Sequence, residues 1–138
     1  MKAITLWQPW ASMVALGYKT IETRSWSTSY RGPLAIHAAL RTPPRAQREC
    51  VDNPRMSDLL RRNGLRWDAL PTGVIVATVY LAYVWHVEQL SGCIGSDEAM
   101  LGDFTPGRFA WKLTNLYALP EPIPARGHQR LWEWTEPV

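Results

Sequence analysis

Gly17, Lys19, Glu22 and Arg24 stand at a G-x-K-x-x-E-x-R spacing, followed directly by Ser25 and Trp26. An ammonium, a carboxylate and a guanidinium so close together suit two kinds of chemistry. The first is recognition of an anion, with Arg24 as a planar fork, Lys19 as a point charge, and Glu22 accepting from the amino group of a base. The second is proton transfer: a lysine desolvated beside an apolar segment serves as general base, Glu22 moves the proton, and Thr20 or Thr23 is a weaker nucleophile. A simpler alternative pairs Glu22 with Arg24. On an exposed strand that pair contributes only about 0–1 kcal/mol, so stability alone gives little reason for the arrangement.

If residues 20–26 are extended, Thr20, Glu22, Arg24 and Trp26 share one face while Ile21, Thr23 and Ser25 share the other. Neither is a core face, so the segment is either solvated or lines a polar cleft. The element before it is a helix. Pro9 suits a first turn, Trp10, Met13, Val14 and Gly17 recur at helical spacing, and the apolar character runs almost all round, which requires burial. Gly17 is placed to end that helix in a left-handed cap, delivering Lys19 to the mouth of the next strand.

The remaining elements follow from alternation and punctuation. Ala3–Leu6 reads as a short strand, and residues 34–39 read as another, with Leu34, Ile36 and Ala38 on one face and His37 on the opposite one. From Leu40 to Thr72, Pro43-Pro44, Asn53-Pro54 and Asn63-Gly64 punctuate two short helical runs rich in arginine, expected as an insertion within a single domain spanning 1–138. Those arginines are balanced by Glu49, Asp52, Asp58 and Asp68, which favours a solvated face over a phosphate site. Val74–Val87 is too long for one straight strand and is expected to bend or bulge. Phe109–Leu119 is a strand after a Pro106-Gly107 turn. Pro120, Pro122 and Pro124 are expected to forbid regular pairing, and residues 131–134 supply a closing strand.

At 138 residues with a net charge of +3, the chain permits contact with nucleic acid without demanding it. Eight tryptophans are many for this length, and core filling competes with base stacking for each of them. Cys50 and Cys93 belong to no C-x-x-C or Cys/His cluster, so no disulfide framework and no metal site is expected. No P-loop or dinucleotide fingerprint is present, and no cofactor is expected. The first residues lack a signal-peptide run and no apolar stretch spans a membrane, which together point to a cytoplasmic protein.

The runs Gln8-Pro9-Trp10-Ala11-Ser12, Gly17 to Trp26, Arg31-Gly32-Pro33-Leu34-Ala35-Ile36-His37-Ala38, Thr72 to Ala77 and Gly102-Asp103-Phe104 to Trp111 resemble the ASCH family, named for homology to activating signal cointegrator 1. The resemblance implies an α+β fold, a small PUA-like mixed β-barrel of five or six strands with helices in the connections. It also implies a cleft lined by the G-x-K-x-x-E-x-R residues, in a superfamily whose relatives bind RNA or read modified bases. The expected function is binding of RNA, or of another single-stranded nucleic acid including DNA, through Lys19, Glu22, Arg24, Trp26, Trp10, His37, Arg108 and Trp111. The alternative is a metal-independent hydrolase acting on a nucleoside such as N4-acetylcytidine, or on RNA as a ribonuclease, with Lys19 and Glu22 catalytic. The amidohydrolase branch of the family carries a threonine where this chain has Glu22. A third reading is a module that docks a protein partner through a tryptophan-rich surface.

Overall fold

The structure, a computed structural model, describes residues 1–137. In chain order the elements are β1 (Lys2–Leu6), α1 (Trp10–Ala15), β2 (Ile21–Arg24), β3 (Gly32–Ala38), α2 (Pro44–Val51), α3 (Pro54–Arg62), β4 (Val74–His86), α4 (Ser96–Met100), β5 (Phe109–Pro124) and β6 (Trp132–Glu133), with single 3-10 turns at Trp67–Ala69 and Val87–Leu90. The strands form one six-stranded sheet in the order β2-β5-β4-β3-β1-β6. All neighbours are antiparallel except β1 and β3.

The mixed α+β class agrees with expectation, but the sheet is open, not a closed barrel. Its ends nevertheless approach each other. β6 pairs only with Lys2 and Ala3, which leaves the far half of β1 with a free edge. The Arg24 guanidinium, on β2 at the opposite end of the strand order, donates to the Thr5 carbonyl at 2.8 Å. A side chain therefore spans the gap where a barrel would have a backbone ladder, and the gap remains as a seam.

Burial follows from which faces are covered. Ile4, Leu6, Leu34, Ile36 and Ala38 pack on the inner face with Ala11 and Val14 of α1, and with Val79, Leu81, Trp111 and Leu113. On the outer face, Ala3 and Ala35 meet Trp132 and Trp134. The parallel β1–β3 pair is thus covered on both sides, as parallel pairing requires. Met13, on the other side of α1, joins Cys50, Met56, Leu59, Leu60, Leu70 and Leu101 in a second core. The short apolar helix is a wedge between the sheet and the arginine-rich helices, and its all-round apolarity has that cause. Most arginines of those helices point outward to carboxylates: Arg55 to Asp97 at 2.8 Å, Arg61 and Arg62 to Asp58, Arg45 to Glu49.

β4 is not one regular ladder, as expected: its pairing with β5 shifts register between Ile75 and Ala77, Thr78 and Tyr80, and Leu81 and Tyr83. The proline-rich stretch differs from expectation: β5 continues to Pro124, and Ile123 pairs with Ile75. Prolines at alternate positions place their missing N–H groups along one edge. That edge is unpaired here, because β2 reaches only Phe109–Lys112. Both cysteines are free; Cys50 is buried, which pushes its thiol up to about 11, and Cys93 is exposed. Among the described residues no helix is long and apolar enough to cross a membrane, and no cluster of metal-ligating side chains is present.

Candidate functional site

The end of α1 sets the site. Gly17, at φ +87°, donates to the Val14 carbonyl while Tyr18 donates to that of Met13, a Schellman closure that turns the chain sharply. Lys19 follows with its backbone N–H on the Met13 carbonyl, and its side chain points inward, 2 % exposed. The ammonium nitrogen lies 2.8 Å from the Ile21 carbonyl, 2.7 Å from the Leu101 carbonyl and 3.3 Å from Glu22 Oε1. Three oxygens match three N–H donors.

Glu22 is held from several sides. Oε1 also accepts from the Thr23 N–H at 3.1 Å, and Oε2 is 2.9 Å from an Arg24 terminal nitrogen. That guanidinium continues to the Thr5 carbonyl, and its Nε is buried without a partner. Lys19, Glu22 and Arg24 therefore converge in one hydrogen-bonded array, and the simple Glu22–Arg24 pair is part of it. Behind it, Glu98 of α4 accepts from the backbone N–H groups of Thr20 and Ile21 at 3.0 and 2.7 Å and from the Thr20 hydroxyl at 3.2 Å. Arg108 closes the other end, donating to the carbonyls of Thr23 and Asp103 at 3.1 Å each.

In front of the array lies a cleft of about 690 Å³, bounded by Thr5 and Leu6 of β1, Glu22–Arg24 of β2, Ala46 and Glu49 of α2, and residues 100–103 with Arg108; Trp7 and Trp10 also line it. It is the open seam of the sheet. Of the residues singled out from sequence, Glu22, Arg24, Trp10 and Arg108 line it. Lys19 stands behind Glu22, beneath the cleft wall. Trp26, His37 and Trp111 do not line it. Trp111 is fully buried, its ring edge-on to Trp26 at 4.9 Å, and Arg130 lies 4.3 Å over the Trp26 face.

His37 is part of a network on the outer face. Its Nε2–H donates to the Ala125 carbonyl at 2.8 Å, so Nδ1 accepts from the Thr5 hydroxyl at 3.1 Å, which in turn accepts from the Trp132 indole N–H at 3.2 Å. Burial holds this imidazole below its usual range, against the opposing effect of the Ala125 hydrogen bond.

Sequence reasoning missed Trp7, Glu49, Glu98 and Leu101. Trp7 is half exposed at the cleft and immediately follows β1, a position that signals a strand end. The other three reach the motif only through the packing of α2 and α4, far away along the chain, and carry no local signal.

The family model for the ASCH domain matches residues 4–121. The chain belongs to the ASCH domain family. Over 131 residues, 94 % of its length, it is 24 % identical to human activating signal cointegrator 1, and equally so to the mouse protein. The chain spans only 22 % of the length of these curated relatives. Among solved structures it resembles ASCH from Zymomonas mobilis, with a TM-score of 0.55 and 18 % identity over 89 % of this chain and 72 % of that one. A serine-to-alanine mutant of that protein matches with a TM-score of 0.51 at the same identity and the same shares of each chain. At these identities the likeness is one of fold. The ASCH match covers the motif and every lining residue of the seam cleft.

Proposed function

We propose that this ASCH domain binds single-stranded nucleic acid, RNA foremost, by taking one splayed base into the seam cleft. The observation that carries the reading is a half-exposed indole, Trp7, beside a cleft of about 690 Å³ walled by hydrogen-bonded ionic groups. That volume falls within the range of small-ligand sites, about 300–1,000 Å³. Trp7 offers a stacking face, and the unshared capacity of Glu22 Oε2 and the Glu49 carboxylate accept from base amino groups.

The charge balance favours a base over a phosphate inside the cleft. Arg24 and Arg108 face Glu22, Glu49 and Asp103 there, and Lys19 is already enclosed by three oxygens. The hydrolytic alternative meets the same enclosure, because a nitrogen surrounded by three acceptors is arranged to donate protons, not to take one up. The hydroxyl of Thr20 is engaged with Glu98 and Lys112, and that of Thr23 accepts from the Asp103 N–H.

Fluorescence anisotropy with a labelled single-stranded RNA decamer tests the proposal. Trp7→Ala is expected to weaken binding by about 5- to 150-fold, the equivalent of about 1–3 kcal/mol for one stacked base. Unchanged affinity in both Trp7→Ala and Arg24→Ala would remove the cleft from the interface. Release of cytidine from N4-acetylcytidine by the wild-type protein would favour the hydrolase instead.

A further inference from the structure

A cleft whose own charges nearly cancel does not attract a polyanion, so the strand's phosphates need another source of positive charge. The segment 125–130 supplies one. It carries Arg126, His128 and Arg130, all exposed, and lies beyond the residues matched by the family model. Among the described residues neither arginine has a carboxylate partner, whereas the arginines of α3 are paired.

The segment is irregular but firmly tied down. The Ala125 N–H donates to the Gly73 carbonyl at 3.0 Å and its own carbonyl accepts from His37. Gly127 lies so close to His37 that an added Cβ would sit 2.6 Å from the imidazole ring. The His128 carbonyl is 3.4 Å from the Thr5 hydroxyl, and its ring meets Trp132 edge-on at 5.3 Å. Arg130 rests over Trp26. Thr5 belongs to β1 and Trp26 follows just after β2, and these are the two walls that Arg24 bridges. The anchored segment thus touches both sides of the seam at one end.

We infer that residues 126–130 form a phosphodiester-binding rail beside the seam, holding the backbone of the single strand whose base enters the cleft. This rests on the proposed function above and adds where the electrostatic part of the affinity resides. The tethered backbone fixes where both arginines leave the chain, Arg130 is also held over Trp26, and each neutralised phosphate releases counterions.

Salt titrations of decamer binding, followed in parallel with calorimetric titration of free cytidine, separate the two contributions. In Arg126→Gln/Arg130→Gln the slope of log affinity against log salt is expected to fall in magnitude by about 1.4, at about 0.7 per lost phosphate contact on a single strand, with cytidine binding unaltered. Arg126→Gln alone leaves the Trp26 contact in place and is expected to show about half that change. Slopes equal to wild type in both variants, with Trp7→Ala still impaired, would overturn the rail and leave the cleft standing. Equal losses for cytidine and decamer would also overturn it, since the loop would then act on the cleft. A wild-type protein that binds no decamer at low salt overturns both.

Discussion

Burying an ammonium costs several kcal/mol unless oxygens replace the water it loses, and at Lys19 two main-chain carbonyls and the Glu22 carboxylate do so. The residue joins the end of α1 to the start of β2 and to the turn after α4. Removing it strands two carbonyls and half of an ion pair. Lys19→Met is therefore expected to lower stability by about 3 kcal/mol or more in urea denaturation, and to impair binding through the fold. A variant as stable as wild type would show that water replaces the ammonium. Trp7 presents the opposite case: half exposed, its truncation to alanine is expected to alter affinity while the denaturation midpoint stays near wild type.

At the scale of elements, the turn between α1 and β2 sets where the motif points. Gly17 is in the left-handed region, where an alanine costs about 1–2 kcal/mol. A Cβ there would meet only Leu116 at an ordinary 3.7 Å, so strain and not crowding sets the cost. Gly17→Ala is accordingly expected to lose about that much stability, measured by urea denaturation, and Gly17→Asn less, because asparagine tolerates this conformation better. Equal losses for the two would point to crowding. The helix, its glycine stop and the alternating strand after it were all legible in sequence, because local periodicity encodes them. The continuation of β5 through three prolines was not, because it depends on which edge β2 leaves free.

At the scale of the molecule, His37 joins the sheet to the segment that crosses the end of the seam. Its imidazole, held neutral by burial, refuses a proton that the unfolded chain accepts near pH 6.5. The unfolded state then binds more protons, so stability rises with pH in that window. It is intact above about 6.5 and is lost as pH falls from there through the depressed folded value. Urea denaturation at several pH values should show this slope and should show it flattened in His37→Asn; an unchanged slope would assign the acid sensitivity elsewhere. Asp97, held below the usual carboxylate range chiefly by its hydrogen bond from Arg55, acts in a separate window below about pH 4.

The order of residues was sufficient to specify the apolar wedge helix, the interrupted long strand, and the nearness of Lys19, Glu22 and Arg24, since each arises from spacing along a few turns or strand positions. Which of those side chains faces the cleft was decided elsewhere. The Leu101 carbonyl accepts from the lysine, Glu98 holds the backbone of Thr20 and Ile21 beside it, Trp26 receives Arg130, Trp111 fills the core, and an unclosed sheet leaves the seam open. Periodicity says which face a side chain takes, but only long-range packing says whether that face meets solvent, a carbonyl or another ring.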